Sequence, residues 1–173
     1  MVSLRVAGDA DRARVLGWRN HPRVRAVSLT AREIEPDEHA LWWRIVMADP
    51  DRRLLIYSHD LIPAGVVLFT RDSGQDPDTA TWSFYLDIDG LQRRGELLAA
   101  WAGLEKESIV YAFEQLGVDR ITGDVLASNT AVLALHRRFG FRVVDSQERD
   151  VDGEPTVVLR VELGLADRAA VRG

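Results

Sequence analysis

Few residues of this chain are equipped for chemistry at neutral pH. His136 stands near the end of the stretch Asn129 to Phe141, whose apolar face of Ala131, Val132, Leu135 and Phe139 follows helical spacing. Its imidazole, with a reference pKa of about 6.5, can give or take a proton, or can simply pack or hydrogen-bond at a helix end. Arg19, Arg23 and Arg25 gather around another helix end. Their guanidinium forks can meet a phosphate or carboxylate, or else form a solvated rim. Trp18 and Trp43 offer flat faces for a sugar or base, although aromatics at helical spacing are also ordinary core. The chain has no cysteine, which excludes disulfides, thiolate metal sites and a thiol nucleophile. His21, His39, His59 and His136 show no metal-ligand spacing, so no metal site is expected.

The elements that must position these groups fit one domain. A length of 173 residues, with 46% hydrophobic and 28% charged, suits a single globular core. That domain is expected over residues 1–165, with a frayed tail at 166–173. The net charge of -5 argues against non-specific binding to nucleic acid or a membrane surface. The opening residues lack an apolar signal core and no apolar run reaches the length of a membrane span, so a cytoplasmic protein is expected.

Val2–Val6 alternates as a strand. Asp9 caps a helix running to about Arg19, with Ala10, Ala13, Leu16 and Gly17 inward, and His21-Pro22 breaks it. Residues 30–35 read as a loop. Pro36, Asp37 and Glu38 open a second helix that carries Leu41, Trp42, Ile45 and Val46 and stops at Asp49-Pro50. Residues 54–58 and 65–70 pair as a hairpin around a turn at 60–63. Residues 71–79 read as a loop and 80–86 alternate as another strand. A long helical region covers 87–116 and ends at Gly117. Residues 120–126, with Ile121, Thr122 and Val125, suit a strand. Ser128 or Asn129 caps the helix bearing His136, Arg137 and Arg138 favour its last turn, and Gly140 allows a sharp exit. Strands at 142–148 and 156–163 close the chain as a hairpin.

Asn129, an apolar helix and then Arg138-Phe139-Gly140-Phe141 resemble the C-terminal half of the GNAT-superfamily acyltransferases. The order of elements is also the order of that superfamily, so the resemblance covers nearly the whole chain. Family members place a tyrosine on this helix, and here His136 stands in its place. Trp18-Arg19-Asn20 followed by Pro22-x-Val24-Arg25, then Glu38-His39-x-x-Trp42 and the phrase Val125 to Asn129, resembles a subgroup acting on nucleotide-linked amino sugars. The pseudaminic-acid-pathway N-acetyltransferase is its familiar example. Ribosomal-protein N-terminal acetyltransferases share parts of both signatures.

The resemblance implies an α/β fold: a single mixed, twisted sheet of about seven strands, splayed between strands 4 and 5 and flanked by about four helices. It implies acetyl-CoA as co-substrate and direct attack of an amine on the thioester. That reaction needs an uncharged amine, a stabilised carbonyl oxygen, a protonated leaving thiolate and alignment. Donor contacts would come from Tyr85, Leu86, Asn129 and His136, with a backbone N–H near Tyr85 or Leu86 polarising the carbonyl. His136 occupies the place of the residue that protonates the thiolate. The base stays open among three readings. Thr81 stands near where related enzymes carry a glutamate and can orient a water; Asp124 is a substitute; a water relay is the third. The diphosphate loop departs from the family's pattern, since Leu91-Gln92-Arg93-Arg94-Gly95-Glu96 has one glycine and a glutamate where a small residue belongs. Either Arg93, Arg94 and the amides around Gly95 hold the diphosphate, or the donor site is lost. Trp18, Arg19, Asn20, Arg23 and Trp43 are the expected acceptor contacts, and a homodimer through the closing hairpin is a family habit. Three functions stay open: acetyl transfer to a small amine, foremost a nucleotide-linked amino sugar; transfer to a protein N-terminus or antibiotic-like amine; or a catalytically silent ligand-binding module.

Overall fold

The structure, a computed structural model, describes residues 1–170. Seven strands form one sheet: β1 (Val2–Val6), β2 (Arg52–His59), β3 (Ile62–Asp72), β4 (Asp76–Leu86), β5 (Arg120–Leu126), β6 (Arg142–Val151) and β7 (Glu154–Gly164). Their spatial order is β1-β2-β3-β4-β5-β7-β6, and only β4 and β5 run parallel. Seven α-helices accompany them among the described residues, rather than about four: α1 (Arg12–Arg19), α2 (Pro22–Arg25), α3 (Pro36–Ala48), α4 (Ile88–Arg93), α5 (Leu97–Tyr111), α6 (Thr130–Arg138) and α7 (Leu165–Ala170).

The central strands are buried on both faces, which explains the unbroken apolar run Leu54-Leu55-Ile56-Tyr57 in β2. Alternation sends Leu55 and Tyr57 to the larger core beneath α5, and Leu54 and Ile56 to a smaller core beneath α1 and α3. The inner faces of α1 and α3 differ from the sequence reading. In α1 Val15 is the fully buried residue, while Ala10, Ala13 and Gly17 are exposed. In α3 the inward residues are His39, Trp43 and Val46, while Leu41 and Ile45 face outward.

Three further differences concern connections. Only residues 73–75 turn between β3 and β4, so most of the expected loop at 71–79 is strand. The expected long helical region breaks at 94–96 into α4 and α5. There Gly95 takes φ 69°, and the Gly95 and Glu96 N–H groups close onto Gln92 O and Leu91 O. A π-helical turn, Ala112–Leu116, then ends α5 at left-handed Gly117. At the C-terminus Ala166 to Ala170 belongs to α7, tied by Leu165 N–H to Asp119 O at 2.8 Å, rather than to a frayed tail; residues 171–173 lie outside the described residues. No helix among the described residues is long and apolar enough to cross a membrane.

Candidate active site between the diverging strands

β4 and β5 pair only at Thr79↔Arg120, Ala80↔Ile121 and Thr81↔Thr122. Beyond that rung β4 stays paired with β3 as far as Leu86, and β5 stays paired with β7 as far as Leu126. Each strand therefore keeps one partner and turns an unpaired edge toward the other. Backbone N–H and C=O groups left this way need partners. The gap opens into a cavity of about 480 Å³, lined along β4 by Ser83, Phe84, Tyr85 and Leu86 and along β5 by Asp124, Val125 and Leu126. The expected splay is present.

His136 lines this cavity from α6, whose first turn is capped by Asn129 Oδ1 accepting the Val132 N–H at 3.4 Å. Its ring sits at 3% exposure among Trp82, Phe84 and Phe141, with centroids 5.4, 6.0 and 4.9 Å away. Nδ1 lies 2.8 Å from Oε1 of Glu105 on α5. Nε2 makes no hydrogen bond among the described residues. Glu105 is wholly buried, and its Oε2 has no partner among the described residues. Burial pushes this carboxyl above the usual carboxylate range, against the smaller pull of His136. The sequence reading passed over Glu105, because Glu-Lys-Glu on a helix reads as a solvated face. Its spacing held the signal: it sits one residue from Leu104 and four from Ile109, on the stripe α5 buries.

Neither side-chain candidate for the base survives as a proton acceptor. Asp124 does line the cavity, but Arg160 donates to both its oxygens at 3.0 and 3.2 Å and Arg149 donates at 2.9 Å. Burial alone would raise this carboxyl; the two guanidiniums outweigh it and hold the group below its ordinary value. A carboxylate so stabilised is a poor base near pH 7. Asp124→Asn is accordingly expected to leave the pH dependence of turnover in place, measured as kcat from pH 6 to 9. Thr81 ends the paired segment instead of entering the cavity, its hydroxyl 3.0 Å from that of Thr122.

The donor-phosphate reading changes as well. The amides of Gly95 and Glu96 are already used in closing α4, and Arg94 Nε donates to Glu96 Oε2 at 2.7 Å. Arg93 is exposed, and none of Arg93, Arg94 and Gly95 lines the cavity. Of the residues that open α5, Leu97 lines the cavity, and first-turn N–H groups receive no hydrogen-bond partner from the helix itself.

At the opposite end, α1 and α2 bring Arg19 and Arg23 to the cavity wall. Arg19 donates one nitrogen to the Thr30 carbonyl at 2.8 Å, while its Nη1 is buried without a partner among the described residues. Desolvation is the main influence lowering the Arg19 pKa. Asn20 acts as a clamp, donating to Ile34 O at 2.9 Å and accepting from Ile34 N–H at 2.8 Å, which pins the loop after α2. Trp43 is 1% exposed and donates from Nε1 to Asp9 at 3.1 Å, so it is core and cannot stack on a substrate. Trp18 packs against the same small core, away from the cavity wall. Tyr85, Leu86, Asn129 and His136 thus share the cavity with Arg19 and Arg23, while Thr81, Trp18, Asn20, Trp43 and the 93–95 segment stand outside it.

A family model described as an acetyltransferase (GNAT) domain matches residues 2–142. No curated protein matches the chain by sequence. Among solved structures it is similar to a spermidine N-acetyltransferase from Vibrio cholerae in complex with CoA and spermine, with TM-score 0.82 at 16% identity over 97% of this chain and 98% of that one. It is similar to the N-acetyltransferase PseH of Campylobacter jejuni, with TM-score 0.65 at 18% identity over 95% and 98% of the two chains. A ribosomal-protein-alanine N-acetyltransferase from Brucella melitensis gives TM-score 0.74 at 19% identity over 94% and 99%. At these identities the likeness is one of fold.

Proposed function

The chain belongs to the GNAT acetyltransferase family, and on that premise we propose that it transfers an acetyl group from acetyl-CoA to the amine of a small, anion-bearing acceptor, foremost a nucleotide-linked amino sugar. The observation that carries the acceptor class is the pair of guanidiniums, Arg19 and Arg23, on the cavity wall; Arg19 donates one nitrogen to Thr30 O and keeps its buried Nη1 without a partner among the described residues. The one carboxylate on that wall, Asp124, is already held by two arginines. A polyamine would bring more positive charge to a wall with no free carboxylate, whereas a phosphate or sugar carboxylate would meet the guanidiniums of Arg19 and Arg23.

The cavity fits a thioester arm. Its apolar walls suit the pantetheine chain, and the unpaired edges of β4 and β5 supply the amide partners such an arm needs. In this reading a backbone N–H near Tyr85 or Leu86 stabilises the carbonyl oxygen as charge develops, at no cost in reorganisation. The α5 first turn faces the diphosphate. His136 Nε2 protonates the leaving sulfur. With Asp124 and Thr81 set aside, water takes the proton from the attacking amine.

The test is turnover with acetyl-CoA, read as thiol release, against nucleoside-diphosphate amino sugars and polyamines in parallel. Preference for the anionic acceptors is expected; equal or higher kcat/KM with spermidine overturns the acceptor class. Absence of acetyl-CoA binding at millimolar concentration overturns the activity itself. Arg19→Ala is expected to raise the acceptor KM about tenfold or more, the usual scale for one charge-assisted hydrogen bond. Donor affinity by calorimetry should stay unchanged.

A further inference from the structure

We propose that Glu105 is the proton store of the active site: with His136 it forms a buried pair that rests at zero net charge, so that Nε2 carries a proton and the imidazole works as an acid rather than a base. This rests on the reading of the cavity as an acetyl-transfer site. The Glu105 carboxyl is fully buried and touches one titratable partner, Nδ1 of His136 at 2.8 Å. Among the described residues no other ionisable group acts on it. Its helix neighbours Lys106 and Glu107 do not contribute, and Arg137 beside His136 is exposed. Across the cavity Asp124 is occupied by Arg149 and Arg160, and Arg19 and Arg23 stand at the acceptor end. Trp82, Phe84 and Phe141 complete the surroundings of the ring.

An uncompensated anion in such a place is strongly disfavoured. The pair has two neutral forms, carboxylic acid with neutral imidazole and carboxylate with imidazolium. In the first, the acid O–H donates to Nδ1 and the ring proton sits on Nε2. In the second, both ring nitrogens are protonated. Nε2 is therefore an N–H donor in either form. Only the anionic form, with Nδ1–H donated to a carboxylate, would leave Nε2 free to act as a base.

The step balances. The amine lone pair attacks the thioester carbon, the C–S bond breaks, and its electron pair goes to sulfur. Sulfur takes the Nε2 proton, and in the acid form Nδ1 takes the Glu105 proton at the same time, leaving the pair anionic. The amide nitrogen loses one proton to water, and the pair regains one from solvent. Glu105 Oε2, with Trp101 Nε1 and Ser108 Oγ one turn to either side on α5, is buried without a hydrogen-bond partner among the described residues. Without Glu105, neutral imidazole alone is far too weak an acid, and only imidazolium would serve. Glu105 does not touch substrate; it acts through His136.

The experiment compares the pH dependence of kcat for wild type and Glu105→Gln. The variant's loss of kcat relative to wild type should grow about tenfold or more between pH 6 and pH 8, because its only remaining acid is an imidazolium, a form whose population falls as pH rises. Acetyl-CoA affinity should not move. A loss equal at all pH values marks Glu105 as merely structural and overturns the relay, as does a superposable profile. A second measurement needs no variant: ¹⁵N chemical shifts of the His136 ring in the wild-type protein. A protonated Nε2 is expected through pH 8, and an unprotonated Nε2 at pH 7 overturns the proposal. Should the wild-type protein lack acetyl transfer altogether, the functional reading fails while the ring shifts still decide the state of the pair.

Discussion

Replacing His136 with glutamine is expected to lower turnover about a hundredfold or more while changing acetyl-CoA affinity less than about threefold. The asymmetry follows from where the ring sits. His136 occupies one wall of the cavity with Nε2 unpartnered, and its other nitrogen is anchored on α5. Loss of a positioned proton donor at a leaving group typically costs two to four orders of magnitude in rate. In the proposed reading donor binding draws mainly on the unpaired edges of β4 and β5, which this substitution leaves in place. Glutamine keeps a polar group facing Glu105, so the buried carboxyl is not stranded and a folding defect is not built into the test. Single-turnover rates with saturating acetyl-CoA, alongside calorimetric donor affinity, provide the measurement. A rate within threefold of wild type would remove the imidazole from the chemistry and leave water as the proton source.

The legibility of this molecule in its sequence was uneven for identifiable reasons. β1, β5 and the helix–Gly–Phe close at Phe141 carry local signals strong enough to stand alone: strict alternation, β-branched residues and an Asn cap. The faces of α1 and α3 were ambiguous because their apolar residues run all round the helix. Trp42 and Trp43 are adjacent, and it is Trp43 that packs into the small core with Val15 and Ile56, its indole N–H donated to Asp9. Cavity contacts were partly readable. Arg19 and His136 stood out by type, whereas Asp124 stayed open as a substitute base until Arg149 and Arg160 arrived from β6 and β7, 25 and 36 residues away. Glu105 was concealed by its neighbours in sequence, since a carboxylate beside a lysine on a helix ordinarily faces water. In each failure a long-range partner decided the matter, and local spacing carries no record of such partners.

Gly65→Val is expected to lower the melting temperature by about 10 °C and to abolish donor binding in the protein that remains folded. Gly65 sits on β3 opposite Leu86, the last paired residue of β4. A Cβ added there would come 2.8 Å from Leu86 Cδ2, 2.9 Å from the Tyr85 carbonyl oxygen and 3.2 Å from Leu104 Cδ1. Leucine methyls can rotate away, but the carbonyl belongs to the β4 backbone. Relief therefore requires moving the strand end whose amides are assigned to the acetyl carbonyl, or forcing β3 and β4 apart. Overpacking of this kind costs about 1 to 3 kcal/mol for modest insertions. Valine adds three carbons against backbone, which places it at or above the upper end. For a domain of this size about 3 kcal/mol corresponds to roughly 6 to 12 °C. Alanine, which adds the Cβ alone, should fall between wild type and valine in both melting temperature and acetyl-CoA affinity. If valine melted within 2 °C of wild type and still bound the donor, the close packing of β3 on the end of β4 could not be what positions the carbonyl-binding edge.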